Sequence, residues 1–231
     1  MTEVRRSMRS HGATTKRAQR LASIGRLLDA AQELFVSQGY RQTNLDQIAS
    51  AAGLTKGAVY FYFRSKETVL LELLERVQAI VVDQARKVVA GTGPGAVDRL
   101  VAFLNQQSKL GVTHRDAVLL LILMSLEFSE RKGPVRNMLR RVYRQLYALV
   151  ERMVQDGQRS GEIRADVRAR ELSAIVMAIH DGTFLEWYRR SPALSGPEIV
   201  RALRGVMLTG ISRAPARGLR GGVRRIQARA A

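Results

Sequence analysis

The sequence of 231 residues contains no cysteine, and it has only three histidines, five prolines and one tryptophan. Without cysteine the chain can form neither a disulfide framework nor a thiolate metal site. Its longest nearly unbroken apolar run, residues 117–126, is about half of the ~20 residues that a membrane-spanning helix needs. The N-terminus also lacks the apolar segment of a signal peptide. These absences predict a soluble, uncleaved, cytoplasmic protein with no membrane contact.

Acidic residues are scarce beside basic ones. The chain has 38 Lys and Arg against 20 Asp and Glu, which gives a net charge of +18 at pH 7. Residues 1–20 and 213–231 carry more than half of this excess and few large apolar groups, so both are predicted to be disordered basic arms. A strongly basic balance favours polyanionic partners such as nucleic acid.

The segment between the two basic ends shows helical periodicity and no sustained alternation of the kind that strands show. The pattern predicts an all-α chain of about nine helices, with a first helix near residues 24–35 and a long fourth helix from about Lys66. The run at 117–126 is apolar on all sides, which is typical of a buried central helix. Thr113 with Asp116, and Ser195 with Glu198, have the spacing of capping boxes.

No set of catalytic residues emerges from the sequence. His11, His114 and His180 do not form an i, i+4 pair, and the zinc-protease, nucleophile-elbow and P-loop patterns are absent. The glycine-rich residues 91–95 follow no predicted strand, so they do not suit a dinucleotide site. We therefore predict that the protein is not an enzyme and needs neither a metal nor another cofactor.

The most informative segment is residues 43–67. Asn44 can cap a short helix at 45–52, Thr55 can cap a second at 56–63, and Gly53 lies in the tight turn between them. Two short helices joined by a glycine-containing turn, after a longer helix, form the helix-turn-helix arrangement, whose second helix enters the major groove of DNA.

The second short helix carries side chains that suit duplex DNA. Lys56 can reach a guanine or a phosphate, and the small Gly57 and Ala58 let the backbone approach the bases. Tyr60 and Lys66 can donate hydrogen bonds to phosphates. The predicted DNA contacts are Thr43, Asn44, Thr55, Lys56, Gly57, Ala58, Tyr60, Phe61 and Lys66.

Residues 39–67 resemble the signature of the TetR/AcrR family of transcriptional regulators, and residues 24–74 resemble its whole DNA-binding domain. The chain departs from the usual pattern at Asn44, where the family has Ser or Thr, and at Phe61 and Tyr62, where members often have His. The resemblance implies a homodimeric, ligand-responsive repressor that binds a palindromic operator and is associated with the nucleoid when bound. It also implies a basic arm at 1–20, a DNA-binding head at 21–65, a ligand and dimer domain at 66–211, and a basic tail at 212–231.

In this family the C-terminal helices form a ligand pocket and a two-helix dimer face. The last two helices, at 168–190 and 198–209, are therefore the expected dimer contact, and the second offers the small residues Ala202, Gly205 and Gly210 for close packing. We predict a mainly apolar pocket without a charged cluster, which favours an apolar or weakly polar effector. The residues predicted to line it are Phe103, Gln107, Met124, Phe128, Tyr143, Tyr147 and Trp187.

Several interpretations stay open at this point. An architectural or constitutive DNA-binding protein could use the same helix-turn-helix without any small-molecule control. Arg136, Arg140 and Arg144 form a stripe at four-residue spacing, for which a solvated face is the favoured interpretation. His180 and Asp181 lie on a helix that must pack, so a structural role is favoured for them.

Overall fold

A computed structural model describes the backbone of residues 2–191 and 193–212, and the side chains of these residues from residue 16 onward. Its described part is helical, apart from turns and one antiparallel bridge between Ile163 and Ser212, so the all-α prediction is confirmed. No helix among the described residues is long and apolar enough to cross a membrane. The helices are α1 (Thr2–Ser37), α2 (Leu45–Ala51), α3 (Lys56–Tyr62), α4 (Lys66–Gln78), a π-helical turn (Ala79–Asp83), α5 (Gln84–Ala90), α6 (Ala96–Thr113), α7 (Arg115–Glu127), α8 (Pro134–Ser160), α9 (Ala169–Arg190) and α10 (Gly196–Ile211).

The two predicted basic ends have different outcomes. Helix α1 begins at Thr2, so its backbone continues through the segment that the sequence predicts as a disordered arm. Residues 2–20 contain no proline and many good helix formers, such as Ala, Arg and Gln, so no residue there stops the helix. The predicted C-terminal tail, apart from Ser212, lies outside the described residues.

The chain divides into two compact units, the first of residues 1–86 and 109–146 and the second of residues 87–108 and 147 onward. These units do not follow the boundary that the sequence predicts between residues 65 and 66. In the first unit α7 packs against α1 and α4, because residues 117–122 are buried on every side of α7 and need neighbours all around.

The core of the second unit holds the start of α6, the end of α8, and the α9–α10 pair. Both carboxylate oxygens of Glu162 cap the start of α6, accepting from the backbone N–H groups of Ala96 and Val97 at 3.3 and 3.1 Å. Gly157 lies against Ile163, and a Cβ added there would lie 2.6 Å from the Ile163 side chain. A larger residue at this position would therefore force the Ile163 side chain to shift.

Candidate nucleic-acid interface

The helix-turn-helix is built from helix starts that local side chains cap. The Asn44 Oδ1 accepts from the Gln47 backbone N–H at 2.9 Å, and the Gln47 side chain accepts from the Asn44 N–H at 2.8 Å. Thr55 and Ser65 cap α3 and α4 in a similar way. Gly53 has a φ of +63°, which is a conformation that side-chain-bearing residues rarely adopt. The short helices and the turn that the sequence predicts are therefore formed by contacts within a few residues.

Helix α3 presents a distinct outer surface. Its one buried residue, Val59, packs inward against the core that also contains Ile48 of α2. Lys56, Gly57, Tyr60 and Phe61 are exposed, and among the described side chains Phe61 is the most exposed large hydrophobic one, at 76%. A recognition helix needs an apolar side that packs on the rest of its domain. It also needs an exposed polar side that can enter the major groove of DNA.

Lys56 forms an ion pair that the sequence did not predict. Its Nζ lies 2.8 Å from the Oδ2 of Asp46, in the first turn of α2, and 5.8 Å from the centre of the Tyr60 ring. The hydrogen bond and the charge of Asp46 raise the pKa of Lys56 above its ordinary value. The signal that could have found it is the single acidic residue of α2 placed before the single basic residue of α3.

Two predicted DNA contacts, Thr43 and Lys66, form hydrogen bonds within the head. Thr43 is buried, and its Oγ1 donates to the Gly39 carbonyl at 2.9 Å. The Lys66 ammonium donates to the carbonyls of Tyr40 and Thr43 at 2.6 and 2.7 Å, and to that of Arg41 at 3.3 Å. Desolvation by burial lowers the pKa of Lys66. A phosphate contact by Lys66 would break bonds that hold the turn before α2.

The same turn is joined to the end of α7. The Tyr40 ring packs edge-on against Phe128, with ring centres 5.1 Å apart. The Arg41 Nε lies 2.7 Å from Glu127, and Arg131 pairs with the same carboxylate at 2.6 Å. The Arg41 hydrogen bond holds the pKa of Glu127 below its usual range. A polar and aromatic cluster thus links the DNA-binding head to α7 inside the first unit.

The predicted pocket residues fall in both units. Met124 and Phe128 are buried and Tyr143 is half-buried in the first unit, where Phe128 takes part in the contact with Tyr40. Phe103 and Gln107 are buried in the second unit. These placements leave the pocket assignment a prediction, with Phe128 already occupied by a contact to the head.

Tyr147 and Trp187, the other two pocket residues, also lie in the second unit. Tyr147 is 39% exposed, and burial together with the charge of Asp181 raises its pKa. Trp187 packs near Phe184, and a Cβ on Gly196 would lie 3.3 Å from the indole nitrogen. The tryptophan therefore lies at the contact between α9 and the start of α10.

Helices α9 and α10 carry exposed apolar side chains. On α9, Ile175 and Ile179 are 49% and 36% exposed, and on α10 Val206 is 70% exposed. Small exposed residues lie beside them, namely Ala174, Ala178, Gly182, Ala202, Gly205 and Gly210. We define these nine residues as the α9–α10 face.

The other polar groups that stand out in the sequence are His180 with Asp181 and the arginines of α8. The buried His180 lies with its Nδ1 3.0 Å from the Asp181 carboxylate. Arg140 and Arg144 of α8 are exposed and form no ion pair with a described residue. Within the described residues, no group of His, Asp and Glu side chains could hold a metal ion.

The sequence and the fold are similar to those of known bacterial regulatory proteins. Residues 27–73 match the family model for bacterial regulatory proteins of the tetR family, and residues 119–187 match that for the tetracyclin repressor-like C-terminal domain. The crystal structure of the MbdR regulator from Azoarcus sp. CIB is 44% identical, with a TM-score of 0.76 over 81% of this chain and 98% of that one.

Two further structures share the fold at lower identity. FadR from Bacillus subtilis in complex with stearoyl-CoA is 20% identical, with a TM-score of 0.68 over 80% of this chain and 98% of that one. AibR in complex with isovaleryl coenzyme A and operator DNA is 19% identical, with a TM-score of 0.70 over 80% and 97%. The chain therefore belongs to the TetR family of bacterial regulatory proteins and is a DNA-binding transcriptional regulator, not an enzyme.

Proposed function

We propose that the protein is a homodimeric repressor that binds an inverted-repeat operator and leaves it when a small effector binds. The observation that carries this proposal is the exposed outer surface of α3 together with the uncovered α9–α10 face. A single head reads one half-site, whereas a two-fold dimer reads two half-sites about one helical turn, ~34–36 Å, apart.

The proposed DNA contacts follow from exposure and chemistry. Lys56 reads a base edge, Gly57 and Ala58 allow close approach of the backbone, and Tyr60 donates to a phosphate. Thr43 and Lys66 are left out of this set because one is buried and the other donates to three carbonyls. The contacting residues are Asn44, Thr55, Lys56, Gly57, Ala58, Tyr60 and Phe61.

We assign dimerisation to the α9–α10 face. Exposed apolar side chains such as Ile175 and Val206 gain free energy when a partner covers them, at about 25 cal/mol per Å² of apolar area. The open space beside Gly182, Gly205 and Gly210 lets a second pair of helices approach closely. Two such pairs would form a four-helix contact across a two-fold axis.

For the effector, we favour a compound with an apolar group, and acyl thioesters of coenzyme A are the first class to test. Their acyl chain agrees with the apolar pocket that the sequence predicts, although their phosphates differ from the unphosphorylated effector expected there. FadR from Bacillus subtilis and AibR, which share the fold, are found in complex with such thioesters. Exposed arginines without ion-pair partners among the described residues, such as Arg140 and Arg144, could receive the phosphates.

Coupling between effector and head has two supports in the first unit. Helix α4 begins at Lys66, whose ammonium donates to the carbonyl of Tyr40. At the end of α7, Phe128 contacts Tyr40 and Glu127 pairs with Arg41. A ligand that favours a different arrangement of either helix weakens DNA binding by its differential affinity for the two states.

The test is selection of bound fragments from genomic DNA, followed by footprinting of the full-length protein with and without acyl-CoA compounds. The proposal expects an inverted-repeat footprint that is released by one compound, with a change in Trp187 fluorescence. Length-dependent coating without a preferred site would support an architectural protein instead. A preferred site that no acyl-CoA or lipophilic compound releases would support a constitutive regulator.

A further inference from the structure

The ion pair between Asp46 and Lys56 lies on the surface that the proposed function assigns to DNA. Asp46 is the only acidic residue of α2, and Lys56 is the only basic residue of α3. Their charged atoms are 2.8 Å apart, and both side chains are largely exposed, at 49% and 69%. A carboxylate beside a DNA-reading lysine opposes the attraction of the protein for phosphate.

We propose that Asp46 is a specificity-determining residue that holds the Lys56 ammonium for a guanine edge and away from phosphates. This inference rests on the proposed function, because it assumes that α3 enters the major groove. It assigns to Asp46 no direct role in forming the fold.

The hydrogen-bonding capacity of the pair fits a G·C base pair. The Lys56 ammonium has three N–H donors, and Asp46 accepts one of them. Two donors remain for the N7 and O6 acceptors of one guanine. The Asp46 carboxylate has acceptor capacity left for the N4 amino group of a cytosine, whereas phosphate oxygens offer it no donor.

The surroundings restrict where Lys56 can point. The Tyr60 ring lies 5.8 Å from the ammonium, so the lysine lies between an aromatic ring and a carboxylate. Without Asp46 the flexible lysine side chain would be free to reach the phosphate backbone.

A purely structural role does not account for the pair. Exposed ion pairs contribute little to stability, and α2 and α3 are already packed through the buried Ile48 and Val59. The carboxylate also lies in the first turn of α2, where a negative charge is weakly favourable. Substituting Asp46 should therefore leave the head folded.

The experiment compares Asp46→Ala and Asp46→Asn with Asp29→Ala in the full-length protein. Asp29 is a matched control because it also forms an exposed ion pair, with Arg76 at 2.8 Å, that joins α1 to α4 and not α2 to α3. Each variant is titrated with a duplex selected by the wild type and with a random-sequence duplex of equal length, at several salt concentrations. Circular dichroism checks that helical content is retained.

We expect both Asp46 variants to bind random duplex about three- to tenfold more tightly than Asp29→Ala, with the salt slope steeper by about one phosphate contact. The ratio of specific to random affinity should fall by about tenfold. Adding Lys56→Ala to Asp46→Ala should abolish the gain, because the freed cation is then absent.

Equal random-duplex affinity for Asp46→Ala and Asp29→Ala would overturn the role of Asp46. An equal loss of affinity for both duplexes would also overturn it, since that pattern indicates a damaged head. A wild-type protein that selects no preferred duplex would refute the proposed function, while the random-duplex comparison would still decide whether Asp46 restrains Lys56.

Discussion

The contacts inside the DNA-binding head and those inside the second unit differ in how far apart their partners lie in the sequence. In the head, the bonds that start α2, α3 and α4 join residues three positions apart, as Asn44 and Gln47 do. In the second unit, Glu162 caps α6 from 66 residues away. Local contacts make the head a module that one short segment can specify, whereas the second unit depends on how distant helices meet.

The capping patterns show the consequence of this difference. The predicted caps at Asn44 and Thr55 are present, but the capping boxes predicted at Thr113 and Ser195 are not. The Thr113 hydroxyl instead donates to the carbonyl of Lys109 at the end of α6, and Ser195 makes no side-chain cap. Thr113 is the last residue of α6 and not the residue before a helix, whereas Ser195 precedes α10 and still makes no side-chain cap, so the spacing alone does not establish the capping bond.

The largest expected effect comes from the second unit, although the proposed DNA contacts all lie in the head. Ala178→Arg places a charge in the α9–α10 face and should give a monomer, with affinity for an inverted-repeat operator lowered at least about 100-fold. Light scattering and operator titration measure the two results. Ala165→Arg, at an exposed site outside that face, is the control and should remain dimeric. A dimeric Ala178→Arg protein would contradict the assignment.

Lys66→Ala tests whether the head depends on more than local contacts. The substitution removes an ammonium that donates to three carbonyls, so we expect the free energy of unfolding to fall by about 2–3 kcal/mol. Urea unfolding measures this loss, with Lys87→Ala at an exposed site of α5 as the control. Unchanged stability with weaker DNA binding would instead support the phosphate contact that the sequence predicts.

Gly157→Ala tests close packing in the second unit. The added Cβ would lie 2.6 Å from Ile163 and 3.1 Å from Ala96, so overpacking should cost about 1–3 kcal/mol. Gly25→Ala, in α1 with open space around it, should instead stabilise the protein by up to about 1 kcal/mol through helix propensity. Thermal unfolding of both variants checks the opposite signs, and equal shifts would show that packing is not the cause.

Asn44→Ala removes a local cap and should lower stability by about 1 kcal/mol. Asn44→Ser keeps an acceptor for the Gln47 N–H and should retain most of that stability. Denaturant unfolding without DNA separates this effect from any phosphate contact of Asn44. Equal losses in the two variants would exclude capping as the reason.

The smallest effect concerns pH and the link from the head to α7. The pKa of Glu127 is lowered by Arg41, so the pair contributes its full stability above the ordinary carboxyl pKa and loses it as the pH falls through the lowered value. The difference in melting temperature between wild type and Glu127→Gln should therefore be present near pH 7 and shrink in acid. We expect the pair to contribute less than about 1 kcal/mol to the free energy of unfolding, because it is partly exposed. A difference that grows in acid would contradict this assignment.

The sequence by itself determined the parts of this protein that depend on neighbouring residues. Helical periodicity predicted the all-α fold, and Asn44, Gly53 and Thr55 predicted the helix-turn-helix, because caps and positive φ angles act within one turn of chain. The exposed residues of α3 followed from the same spacing, since one side of a short helix must face its scaffold.

Only the tertiary structure decided which polar side chains the fold itself uses. Lys66 and Lys56 are the same residue type in the sequence. The ammonium of Lys66 contacts the carbonyls of Tyr40 and Thr43, more than 20 residues earlier in the chain, whereas the ammonium of Lys56 lies at the surface beside Asp46. Phe128 is likewise an apolar residue whose neighbour, Tyr40, is 88 positions away in the chain. Periodicity gives the side of a helix that is buried, but the partner on that side depends on how the helices pack in three dimensions.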